Sequence, residues 1–202
     1  MKTILLHGLG QTAQDWNEVV RCMAGSAVEC PELFSVSGNE CSYARILENL
    51  EQQYADAEEP LRLCGLSLGA ILALDFTIRH RKKVGALVCI GAQYKVPRLL
   101  LDVQTLLFRC MPHRVFADRG MAREDILKLS CSMRNLDLTP RLKEIHCPVT
   151  IMCGEKDWAN RKAAAKLQVL LPQAKLQILS GVGHEVNREA PQVLADILLS
   201  AE

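Results

Sequence analysis

Apolar residues fall along this chain in two recurring patterns. One is the short unbroken run: residues 2–6 after a single lysine, Leu61-Arg62-Leu63-Cys64, Lys82 to Gly91, and Cys147 to Gly154. Runs this short and this apolar are strands buried on both faces, as in a parallel sheet. The other pattern has helical spacing. Trp16, Val19, Val20 and Met23 predict a helix running to about Ala24, entered through Thr12 and Asp15 at capping-box spacing. Tyr43, Ile46, Leu47, Leu50 and Tyr54 predict a second. Ala70 to Phe76 is apolar almost all round, which marks a buried helix reaching about His80. A helix over about 159–171 and one near 191–200, opened by Pro191, complete the set. Val28 to Val36 is a weaker strand that Pro31 assigns to an edge, and Lys175 to Leu179 is the last strand. Residues 92–134 break the rhythm, with helix-like pieces at about 97–110 and 121–133 and no strand between them.

Strands alternating with helices imply a parallel sheet with right-handed crossovers. Reactive groups in such sheets collect at the C-terminal strand ends. Four stretches stand there: His7-Gly8-Leu9, Ser67, Asp157 and His184. Ser67 lies in Gly65-Leu66-Ser67-Leu68-Gly69, between a strand and an apolar helix, the context of a nucleophile elbow. The flanking glycines let strand and helix backbones approach. A serine hydroxyl needs a neighbouring base. His184 can supply it, and Asp157 can fix the histidine tautomer. The backbone N–H of Leu68, at a helix start, and that of Leu9, in the turn after the first strand, can hold a developing oxyanion. The blander readings are a surface histidine at 184 and a helix-capping aspartate at 157. Asp137 and Asp75 fit the acid role less well, because neither ends a strand. His7 is read as bracing its own loop. No HxxxH or HxH spacing suggests a metal site.

These stretches resemble the α/β-hydrolase superfamily, in particular its small serine esterases and lysophospholipase-like hydrolases. Leu6-His7-Gly8-Leu9-Gly10 is similar to the oxyanion loop, Gly65 to Gly69 to the elbow, and Gly154-Glu155-Lys156-Asp157 to the acid turn. Gly183-His184-Glu185, with Glu189 and Pro191 after it, is similar to the histidine loop, and Trp16 falls where the helix after the oxyanion loop often carries a tryptophan. The resemblance implies a single domain over 1–202, with a six-stranded, mostly parallel sheet of order 2-1-3-4-5-6 flanked by helices. It implies a short helical cap at about 92–134. The chain departs from the family in starting at the strand before the oxyanion loop, in carrying Ala70 where many relatives have glycine, and in replacing the usual turn after the second strand by Pro31 to Asn39. The implied activity is hydrolysis of a carboxylic ester through an acyl-enzyme, with Ser67, Asp157 and His184 as catalytic residues, Leu9 and Leu68 as oxyanion donors, and no cofactor or metal. The same machinery serves thioester, amide and C–C cleavage and lyase chemistry. A triad-bearing ligand sensor with little turnover is the alternative of a different class.

Composition narrows the partners. With 202 residues, 49% of them hydrophobic, the chain can bury one sizeable core. A net charge of +1 gives no reason to expect nucleic acid, and no apolar run approaches a membrane span. Nine cysteines, an odd number without CxxC pairs, read as buried free thiols of a reducing, cytoplasmic compartment. The start of the chain lacks the pattern of a signal peptide. Residues 93–134 carry eight Lys or Arg against four acids, which suggests a basic rim over the site or simply a solvated helix face.

Overall fold

A strand apolar on both faces needs a neighbour at each edge and helices above and below. The first strand, β1 (Lys2–Leu6), meets this demand: Ile4, Leu5 and Leu6 are at most 1% exposed. The computed structural model describes residues 1–34, 41–96 and 122–200. In it β1 lies between β2 (Val28–Glu29) and β3 (Leu61–Leu66), followed by β4 (Val84–Ile90), β5 (Val149–Gly154) and β6 (Lys175–Leu179). The order is β2-β1-β3-β4-β5-β6 and every pairing is parallel, as the resemblance implied. Leu6 pairs with Gly65 and Leu66 with Ile90, so the C-terminal ends of the central strands finish side by side.

Alternate strand residues build two cores. Leu5, Cys64, Leu66, Val88, Ile90 and Met152 face Trp16, Val19, Met23, Leu194 and Leu198. Ile4, Leu6, Leu63, Leu87, Cys89, Ile151 and Cys153 face the other way, onto α2 (Tyr43–Tyr54) and α3 (Leu68–Arg79). In α3 every residue from Leu68 to Ile78 is buried. Each such Leu or Ile stabilises the fold by roughly 1.5–3 kcal/mol, which is why this helix is apolar nearly all round, its buried Asp75 being bonded to Tyr43 and Arg79.

Two boundaries differ from the sequence reading. The helix expected from Thr12 to Ala24 is a 3₁₀ turn, Ala13–Trp16, followed by α1 (Asn17–Cys22), and Val20 is only half-buried. The edge strand expected to reach Val36 is two residues long. Beyond Pro31 the chain turns inward instead: Leu33 is buried, its N–H donates to His7 Nε2 (3.0 Å), and the Phe34 ring packs edge-on to His7 at 5.0 Å. Residues 35 and 36 lie outside the described residues, as does the helix expected at 97–110 together with residues 111–121 of the basic segment. The second expected piece is α4 (Arg123–Ser132), whose Ile126 and Leu129 join the core beside α2. The 92–134 segment is rooted in a short antiparallel neck. Val96 N–H donates to Leu136 O, Leu138 N–H donates to Tyr94 O, and Lys95 pairs with Asp137 at 2.9 Å. Among the described residues no helix is long and apolar enough to cross a membrane.

Candidate active site

At the end of β3 the chain must reverse into α3 within one residue, and Ser67 makes that turn. Its φ of 55° is the only positive φ of a non-glycine residue among the described residues. The turn is possible because its flanks lack side chains. A Cβ on Gly65 would lie 2.2 Å from Gly69 O, and one on Gly69 would lie 2.1 Å from Leu6 O. Ser67 N–H donates to Ile90 O at 2.8 Å, locking the turn to β4. The Ser67 side chain does not cap α3 and has no hydrogen-bond partner among the described residues. Leu68 is the first residue of α3, so its N–H has no partner within the helix.

One residue beyond Ile90, Gly91 has φ +59°. The His184 ring lies against it: a Cβ there would meet His184 Cε1 at 2.9 Å and Asp157 Oδ2 at 3.3 Å. The acid turn and the histidine loop are pressed together in the same way. Lys156 N–H donates to Val182 O at 2.9 Å, and a Cβ on Gly154 would sit 2.0 Å from Gly183 O. Here His184 Nδ1 donates to Asp157 Oδ2 at 2.6 Å. The structure thus brings Asp157 and His184 into contact and stands Ser67 at the end of β3, on the far side of β4 from β5, unbonded to either.

Leu9 stands at the tip of a tight turn. Gly8 N–H donates to Gln11 Oε1 (3.3 Å), and Gln11 N–H donates to Gly8 O (3.2 Å). Gln11 also reaches the histidine loop, donating to Glu185 Oε1 and Asn187 Oδ1. Glu189 Oε2 accepts the Gly183 N–H at 2.7 Å, immediately before His184. His7 is fully buried: its Nδ1 bonds Gly8 O in its own loop at 3.1 Å, and its Nε2 accepts from Leu33 N–H, tying that loop to the segment after β2.

Residues 3–197 match the Alpha/beta hydrolase family. The chain belongs to this family. A pimeloyl-[acyl-carrier protein] methyl ester esterase of Edwardsiella ictaluri is 25% identical over 90% of this chain and 85% of its own length. Among solved structures, a hydrolase from Pseudomonas aeruginosa PA01 superposes with a TM-score of 0.81 at 19% identity, covering 98% of this chain and 89% of that one. MenH from S. aureus superposes with 0.79 at 18% identity, covering 98% and 92%. Likeness at this identity speaks for the shared fold.

The electrostatics of this alpha/beta hydrolase site follow from its contacts. The hydrogen bond to Asp157 raises the His184 pKa above its ordinary value, against burial, with Glu185 and Glu189 adding to the rise. Burial alone would raise Asp157, but the hydrogen bonds from His184 and Asn160 outweigh it and hold the carboxyl below the usual range. Asn160 and its neighbour Gln93 are residues that sequence reasoning missed. Asn160 Nδ2 lies 2.9 Å from each Asp157 oxygen, and Gln93 Nε2 donates to Asn160 Oδ1 at 2.8 Å. The only signal was that Asn160 stands three residues after Asp157 at a helix start, one turn onward on the same face. Among the described residues no cluster of His, Cys, Asp or Glu could hold a metal ion.

Proposed function

We propose that this protein is a serine hydrolase that cleaves a small-molecule carboxylic ester in two steps. Ser67 Oγ attacks the ester carbonyl while His184 Nε2 takes its proton. The N–H groups of Leu9 and Leu68 hold the resulting oxyanion. The intermediate collapses, the alcohol leaves with the proton from His184, and the acyl group stays on Ser67. Water then attacks with His184 as base again, releasing the acid and freeing Ser67. Asp157 keeps the Nδ1–H tautomer and stabilises the imidazolium formed in each half. No cofactor enters the scheme. The observation that carries this reading is the 2.6 Å His184–Asp157 hydrogen bond, made where the ring lies against Gly91, the residue after the strand end that accepts the Ser67 N–H. The chain leaves the sheet just past that strand end, and we assign residues 92–134 the role of cap.

The test is Ser67→Ala assayed on short activated esters. The expected loss is on the order of 10⁴-fold, with the fold intact. A fluorophosphonate probe should label the wild type at Ser67 alone. Activity within about tenfold of wild type would remove Ser67 as nucleophile. Release of about one equivalent per chain, with no further turnover, would favour a sensor over an enzyme.

A further inference from the structure

We infer that Asn160 is a positioning residue of this site, holding the Asp157 carboxylate in the plane His184 needs, and that Gln93 fixes the Asn160 amide. The inference rests on the proposed serine mechanism and deepens it. A carboxylate turns readily about its terminal torsion, which has only a broad preference. The His184 bond and the Asn160 backbone N–H restrain that rotation in part. The Asn160 side chain restrains it further, because its amide nitrogen sits 2.9 Å from both oxygens and donates between them. The same nitrogen lies 3.2 Å from His184 Nδ1, so acid, base and amide form one triangle. Asp157 and Asn160 are 7% and 8% exposed, and water competes little for these bonds.

An amide can also present its oxygen, which would repel the carboxylate. The Gln93 contact forbids that. Its Nε2 donates both to Asn160 Oδ1 (2.8 Å) and to Ala159 O (3.3 Å), so its own orientation is set by two acceptors. With its oxygen bound to Gln93, Asn160 must turn its nitrogen to Asp157. Gln93 stands two residues beyond Gly91, against which the His184 ring lies. The end of β4 therefore sets both the ring and, through two amides, the acid that orients it.

The charged groups facing His184 are Asp157 from the end of β5 and Glu185 and Glu189 from its own loop. Asn160 donates to Asp157, drawing charge from the carboxylate and away from the imidazole. Removing it should strengthen the carboxylate's hold on the imidazolium. With a short p-nitrophenyl ester, Asn160→Ala should lower kcat about 10- to 100-fold, the range expected for a hydrogen bond to a charged group, with KM within about twofold. The acid limb of kcat/KM should move to higher pH. A limb displaced downward would contradict that charge balance and overturn the inference. In case Asn160→Ala folds poorly, the half-buried Gln93 supplies a second test. Gln93→Glu cannot donate to Asn160 Oδ1 and would draw the amide the wrong way round, so its kcat should fall several-fold below that of Gln93→Ala. The inference is overturned if Asn160→Ala keeps its limb in place, or if Gln93→Glu matches the wild type. Ser67→Ala, run beside them, separates the outcomes: activity there sinks the mechanism, whereas inactivity there with wild-type Asn160 and Gln93 variants sinks this inference alone.

Discussion

Ser67 carries a conformation its side chain does not favour. A φ of 55° with ψ −112° lies outside the regions open to residues with a Cβ. Holding it costs on the order of 1–3 kcal/mol, met by the α3 burial and the bond to Ile90. Ordinary backbone positions prefer alanine to glycine. Here the preference should invert: Ser67→Gly should be more stable than Ser67→Ala by about 1 kcal/mol, since only glycine relaxes the turn. Denaturant midpoints of the two variants give the comparison. An alanine variant as stable as the glycine one would mean that the elbow stores no strain.

At the scale of elements, the candidate site is four loops, the turn after β1, the elbow, the acid turn and the histidine loop, held largely by close backbone approach. Gly69 marks one of the tightest approaches, because α3 crosses β1 where a Cβ would reach Leu6 O at 2.1 Å. Gly69→Ala must push helix and strand apart and should cost about 3 kcal/mol or more. Gly85→Ala is the contrast. Its Cβ would meet the Met1 thioether at 2.8 Å, a flexible tip that can swing away, and Pro60 Cβ at 3.3 Å, which must give by a few tenths of an ångström, so the cost should be about 1 kcal/mol. Equal losses in urea unfolding would remove the close approach as the reason for glycine. This locality explains what could be read from the chain. An elbow demands glycine on both sides of one residue, so Gly65, Ser67 and Gly69 announce it, and Asp157 and His184 are marked by the strands they end. Asn160 and Gln93 carry no such mark. They are ordinary amides until β4 and β5 lie side by side, more than sixty positions apart in sequence. The edge strand was over-read for a related reason: Leu33 and Phe34 look like strand residues, but His7 and the core bind them in place of a neighbouring strand.

For the molecule as a whole, the Asp157–His184 pair links protons to both stability and activity. The His184 pKa is raised, so its share of stability is full below about pH 6.5 and is lost as pH rises through the folded value. The Asp157 pKa is lowered, so its share is present above about pH 4 and is lost as pH falls through the folded value. The pair therefore supports the fold most between those limits. The proposed mechanism needs neutral His184, so under it the acid limb of kcat/KM should lie above pH 6.5. Asp157→Asn should move it down as it lowers the rate. The difference in Tm between wild type and His184→Gln should be largest near pH 5 and shrink by pH 9. A Tm difference flat across that range would mean that the pair does not couple folding to protons.

The sheet order sets a sequence of events in synthesis. A chain emerges N-terminus first. The strands that shape the elbow, β1, β3 and β4, are complete by Ile90, whereas Asp157 follows β5 and His184 follows β6. Under the roles proposed here, a partly made chain can shape its strained serine long before it owns a base to activate it. Reactivity switches on only when the last strand docks, so an unfinished protein has no means of acylating itself.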